Sequence, residues 1–227
     1  MLSTSPSPEY VLAVAIVIFF SIGLHEFAHA KVADTAGDPT PRAHGRVTLN
    51  LFNHFELFGT IMMIASAMLG FGIGWGKPVP MTPKKMHNPR WDYFSAVIAG
   101  PLTNFALAIV FALLFRLGTN MGFVRIYGIP GESIDIFVQP FITTLLMMGM
   151  MINISLFFFN LLPIGPLDGM WILGSFMPEK QQILWYQFNR YYGGYIFVAL
   201  VLFSQFTGGG IFLILGPLRM RLLEILI

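Results

Sequence analysis

Long apolar runs constrain this chain more than any other feature. Tyr10 to Ile22, Tyr93 to Phe115, Ile134 to Leu162 and Gly194 to Leu215 are dominated by aliphatic residues, Phe and Met. About 20 such residues in a helix cross the hydrocarbon core of a bilayer. Backbone groups in lipid must be satisfied within the segment, which favours helices. Charged residues make up 11% of the 227 residues and hydrophobic ones 56%. A soluble domain carries roughly 25% charged residues. The expectation is an all-α polytopic membrane protein, one domain over residues 1–227, with about four to six transmembrane helices. Met1 to Glu9 has no Lys or Arg, unlike the start of a signal peptide, so the first helix is expected to stay. The chain has no cysteine, which excludes disulfides and thiolate metal sites. Net charge is +2 with no basic block, so nucleic acid is not an expected partner.

Within that apolar setting, polar residues need a reason to be present. The first helix, expected over Ser7 to Asp34, carries Leu24-His25-Glu26-Phe27-Ala28-His29. Positions four apart share a helix face, so His25 and His29 point the same way and can hold one Zn²⁺. Glu26, beside the first His, is placed to take a proton from water activated by the metal. Catalytic zinc usually has three protein ligands and an open position. Asp168, after the proline-shaped turn Pro163-Ile164-Gly165-Pro166, is the best candidate for the third, ahead of Glu56 and Asp135. His44 and His54 read as surface or interfacial residues and His87 as solvated. Thr48-Leu49-Asn50 reads as extended.

The stretch from Leu57 to Pro80 is apolar but broken by Gly59, Gly70, Gly72 and Gly74, against a regular helix. If it crosses the membrane, Lys and Arg divide evenly between the two sides. If it re-enters on the side it left, one side carries nine and the other only Arg116, Arg125, Arg219 and Arg221. The re-entrant arrangement obeys the positive-inside rule and puts the His pair and Asp168 together on the cytoplasmic side. Trp171 to Arg190 reads as a short interfacial helix. Tyr93 to Phe115 contains Gly100-Pro101-Leu102-Thr103-Asn104, whose small residues permit close packing. Its Asn104 needs a partner inside the bundle.

Four elements in this order, His25-Glu26-Phe27-Ala28-His29, Gly76-Lys77-Pro78-Val79-Pro80, Gly100 to Asn104 and Asn160 to Gly169, resemble the site-2 proteases. These are intramembrane zinc metalloproteases; the resemblance is to their short form, which lacks PDZ and CBS domains. It implies zinc held by His25, His29 and Asp168, one ion per chain, and Glu26 as general base. It further implies that Asn160 contacts the substrate carbonyl, that the helix bearing Asn104 supports the core, and that a membrane-embedded extended segment, here Leu57 to Pro80, pairs with substrate as an added strand. The implied partners are transmembrane protein substrates and the lipid bilayer. The short form has His-x-Asp-Pro where this chain reads His54-Phe55-Glu56-Leu57, and Pro where Gly165 stands. Two other readings of the same residues are a membrane metal-binding or transport protein that passes a cation along His25, His29 and Asp168, and a protease-like scaffold that binds helices without cutting. Only proteolysis requires Glu26 as a base.

Overall fold

The computed structural model describes residues 7–59, 61–62, 76–125 and 139–206. Most of these residues are helical, and no strand occurs among them. Among the described residues, three helices are long and apolar enough to cross a membrane: α1 (Pro8–Thr35), α3 (Trp91–Asn120) and α4 (Phe141–Asn160). Between the first two lies the short α2 (Thr40–Ala43). After α4 come α5 (Asp168–Ser175), α6 (Glu179–Phe188), a π-helical turn (Asn189–Gly193) and α7 (Gly194–Phe206).

Local chemistry sets the start of α1. The Ser7 side chain accepts the Tyr10 N–H at 3.1 Å, and Pro8 occupies a position whose missing N–H has no helical partner anyway. Its buried residues Val14, Ile18, Ile22, His25 and His29 recur at three- and four-residue spacing, one face of a helix. The apolar part packs with Met148 and its neighbours on α4. Small residues bring α3 and α4 together: Ala108 and Ala112 meet Met150 and Ile154, all buried. At Gly149 an added Cβ would lie 2.4 Å from the Phe111 ring. Leu102, Val110, Leu113 and Leu117 point outward, as lipid-facing residues do.

The three spans run up, down and up. His29 meets Ala96 near the start of α3, while Thr143 near the start of α4 hydrogen-bonds Arg125, just past the end of α3. The end of α4 therefore delivers the Asp168 turn to the end of α1 that carries the His pair.

The loops at this end are tied together. The Asp38 carboxylate, fully buried, accepts the Thr40 N–H at 3.0 Å and also the Thr82 N–H. The Lys77 N–H donates to the His54 carbonyl at 3.1 Å. The interior of the expected re-entrant segment, residues 60 and 63–75, lies outside the described residues, as does Asp135. The flanks of that segment meet at His54 and Lys77.

Burial acts to raise the Asp38 pKa, but hydrogen bonds from Thr40 and Thr82, with Lys85 nearby, outweigh it and hold the carboxyl below the ordinary aspartate range. A depressed folded-state pKa contributes stability above the unfolded-state value and loses it as pH falls. Asp38→Ala is expected to lower stability at neutral pH by about 1–3 kcal/mol, the cost of leaving buried donors unpaired. Thermal unfolding in detergent checks this. The deficit should shrink on acidification, because the parent loses the same interaction.

Three expectations need correction. His54 is not a surface or interfacial residue: it is fully buried, with Nε2 3.0 Å from the Thr48 carbonyl. Thr48 and Leu49 lie in bends rather than a strand, and only Asn50 is extended, capping a 3₁₀ turn at Leu51–His54, where its side chain accepts the Phe52 N–H at 3.3 Å. Leu51 then packs against α1 at Gly23, where a Cβ would sit 2.9 Å from Leu51 Cδ2. His44 and His87 are exposed, as expected. Trp171 to Arg190 is not one helix but parts of α5 and α6 and the π turn.

Candidate active site

His25 and His29 lie one turn apart on α1, and α3 fixes both rings from behind. His29 Nδ1 is 2.8 Å from the Ala96 carbonyl, which can only accept, so Nδ1 carries the proton. His25 Nδ1 is 2.6 Å from Asn104 Oδ1. A chain of amides settles that orientation. Asn153 Nδ2 donates to the Gly149 carbonyl and Ser21 Oγ, both at 2.8 Å. Asn153 Oδ1 therefore accepts from Asn104 Nδ2 at 3.0 Å, which turns Asn104 Oδ1 toward His25. Both imidazoles donate from Nδ1, which leaves each Nε2 as the ring atom that can ligate a metal.

Those two Nε2 atoms converge on Asp168, the first residue of α5. His25 Nε2 is 3.2 Å and His29 Nε2 3.4 Å from Asp168 Oδ2, and the two nitrogens are 3.0 Å apart. Asp168 Oδ2 is buried without a hydrogen-bond donor among the described residues. Three potential ligand atoms converging in one buried site suit a cation. The spacing fits zinc. Bonds of about 2.0–2.1 Å at tetrahedral angles separate ligand atoms by about 3.3 Å. A ring N–H held by a carbonyl or amide oxygen is also the usual support of a ligating His. These three residues are the group of metal-binding side chains found among the described residues. Glu56 is elsewhere, with its carboxylate accepting the Gly59 N–H.

The approach of α3 depends on Gly100. A Cβ there would lie 2.3 Å from His29 Nε2 and 2.7 Å from His25 Cε1. Asp168 is held by its own surroundings. Gly169 packs where a Cβ would meet the Leu161 carbonyl at 2.3 Å. The Gly165 N–H donates to Asn189 Oδ1 at 2.9 Å, and the Trp185 indole to the Met170 carbonyl at 2.9 Å. Arg90, just before α3, donates to the carbonyls of Ser175 and Met177 at 2.6 Å each, which ties the far end of α5 to α3.

A cavity of about 640 Å³ opens over the triad. Glu26, Asn160 and Tyr93 line it with His25, His29 and Asp168, and its walls are largely apolar. Asn160 donates one amide hydrogen to the Leu156 carbonyl at 3.1 Å. All five residues expected to form the site thus border one cavity. Sequence reasoning missed Ser21, Asn153 and the Ala96 carbonyl. A carboxamide at 153 within an apolar span was a signal; a backbone carbonyl leaves none.

Asn104→Ala is expected to keep all three ligands yet weaken zinc binding by about 10- to 100-fold, the usual effect of removing a ligand's outer partner. Competition with a chromogenic chelator measures it. Unchanged affinity would show that the amide chain does not orient His25.

An imidazole pair and a carboxylate converging beside an apolar cavity between membrane-length helices form a candidate metal centre of a membrane protein. The model of peptidase family M50, the site-2 protease family, matches residues 13–204. The chain is 34% identical over 192 residues to "Putative zinc metalloprotease YwhC" of Bacillus subtilis (strain 168), covering 84% of this chain and 79% of that protein. No solved structure matches. The chain belongs to peptidase family M50: it is an integral membrane protein of a zinc metalloprotease family.

Proposed function

We propose that this chain is an intramembrane endopeptidase that hydrolyses peptide bonds within or near transmembrane segments of membrane proteins. In this reading His25, His29 and Asp168 hold one zinc ion. The observation that carries it is the Nε2, Nε2 and Oδ2 triangle opening on the same cavity as Glu26. Zinc supplies Lewis acidity, which makes water nucleophilic near neutral pH and polarises a carbonyl. The Glu26 carboxylate takes the proton from the attacking water and returns it to the departing amine nitrogen. Asn160 donates to the carbonyl oxygen as negative charge develops there. The apolar walls suit a hydrophobic peptide and keep bulk water out.

A transmembrane helix hides its peptide bonds, so the substrate must unwind before cleavage. Adding it as an extended strand beside Gly76 to Pro80 would compensate the lost helical bonds. The nine-to-four division of Lys and Arg supports a cell-membrane protein with the site toward the cytoplasm. Processing of single-pass membrane proteins, as in regulated intramembrane proteolysis, is the role this site suits.

Co-expression with a panel of single-pass membrane proteins tests the reading. The parent should release fragments, identified by mass spectrometry, that the Glu26→Gln variant does not. Identical fragments from both, or none from either, would reject it. Cysteines placed at Leu49 and Lys84, both exposed, should react with an impermeant reagent from the cytoplasmic side. Labelling from opposite sides would reject the re-entrant arrangement.

A further inference from the structure

Arg46 is 2% exposed, yet two of its guanidinium nitrogens, Nε and Nη1, are buried with no hydrogen-bond partner among the described residues. A buried cation left half satisfied is costly and calls for a reason. Its third nitrogen, Nη2, has two neighbours. It donates to the Lys77 carbonyl, and it lies 3.9 Å from Glu26 Oε2. That contact is the ion pair of Glu26 among the described residues.

The same loop holds Lys77 from its other backbone group, since the Lys77 N–H donates to the His54 carbonyl at 3.1 Å. Residue 77 is therefore gripped through both its N–H and its C=O by residues 46–54. Its neighbours Gly76, Pro78 and Val79 border the cavity instead. Gly76 also touches the base: a Cβ there would lie 3.2 Å from Glu26 Oε1 and 2.6 Å from Ile22 Cγ2. One guanidinium nitrogen thus faces both the segment beside the cavity and the carboxylate inside it.

We infer that Arg46 is a positioning residue that couples seating of a peptide along Gly76 to Pro80 to placement of the Glu26 carboxylate. The inference rests on the protease reading above, with Glu26 as base and a peptide as ligand. Arg46 touches neither peptide nor metal. Its forked geometry lets it hold a carbonyl and a carboxylate at once. Lysine keeps the charge but has a single nitrogen to divide between them. Glutamine keeps the chain length and loses the charge.

The full-length protein in detergent, as parent, Arg46→Lys and Arg46→Gln, tests this with two hydroxamates. Acetohydroxamate probes the metal alone; a Leu-rich hexapeptide hydroxamate probes the metal and the peptide-seating segment together. Arg46→Gln should weaken the peptide hydroxamate by about tenfold or more, the scale of a charged hydrogen bond, with zinc content and acetohydroxamate affinity within about twofold of the parent. Turnover of a fluorogenic Leu/Ala-rich transmembrane peptide should fall in kcat/KM, with KM raised by the lost seating and kcat lowered by the misplaced base, and with Arg46→Lys between the two.

Peptide hydroxamate affinity within about twofold of the parent in Arg46→Gln would overturn the inference. So would equal weakening of both hydroxamates together with loss of zinc, which would make Arg46 merely structural. Failure of the protease reading itself looks different: Glu26→Gln would then turn over the fluorogenic peptide as fast as the parent.

Discussion

Glu26→Gln is expected to keep fold and zinc while cleavage falls by roughly 100- to 10,000-fold, the range for loss of a general acid–base. Glutamine is nearly isosteric, so the helix face that borders the cavity is preserved. Its amide cannot accept a proton from water. Because Glu26 serves both proton transfers, the loss should lie toward the upper end. Asp168→Asn should fail differently. The charge of the third oxygen disappears, two neutral imidazoles remain, and zinc is held more weakly. Measuring zinc content and cleavage rate on both variants separates base from ligand. Zinc-dependent cleavage in Glu26→Gln within about tenfold of the parent would remove Glu26 from the mechanism.

Gly100→Ala is expected to abolish zinc binding although it changes no ligand. The added methyl would lie 2.3 Å from His29 Nε2 and 2.4 Å from His29 Cε1, far inside contact distance. The His29 ring cannot simply swing aside, because its Nδ1 is anchored on the Ala96 carbonyl of the same helix. Either α3 withdraws from α1 or the imidazole leaves the triad. Both remove a ligand. Metal analysis of the purified variant should show well under one equivalent where the parent shows about one, as a single catalytic site requires. A full equivalent in Gly100→Ala would mean that the helices part without disturbing the rings.

The membrane character and the ligands were legible because each is written in adjacent or periodic residues. The apolar runs located α1, α3 and α4. The i, i+4 spacing of His25 and His29 survives folding because α1 is regular through both. The limits of the spans were less legible. Helix α4 begins only at Phe141, after Pro140, and α3 runs on to Asn120, past the last apolar cluster. Asp168 was expected on an irregular turn and instead opens a new helix, with its neighbour Gly169 seated against the Leu161 carbonyl.

What remained illegible depends on contacts between distant residues. Asn104 reaches His25 across 79 positions, and Arg90 reaches Ser175 across 85. Nothing near Arg46 in sequence marks it as buried; it sits in a polar loop that folding carries beneath Lys77. His54 misled for the same reason. A histidine in a polar segment reads as solvated until the Thr48 carbonyl and the packing of Phe27, with ring centroids 6.5 Å apart, enclose it.

The most direct measurement is the position of the cut. Zinc-loaded protein, reconstituted in liposomes with a single-pass transmembrane substrate, can be sampled over time and the fragments weighed by mass spectrometry. The parent should cut within or at the edge of the apolar segment, the cut should vanish with a zinc chelator and return on adding zinc, and Glu26→Gln should leave the substrate whole. Cuts confined to solvent-exposed tails, or the same intramembrane cut by Glu26→Gln at the parent's rate, would contradict the assignment of this site as an intramembrane zinc protease.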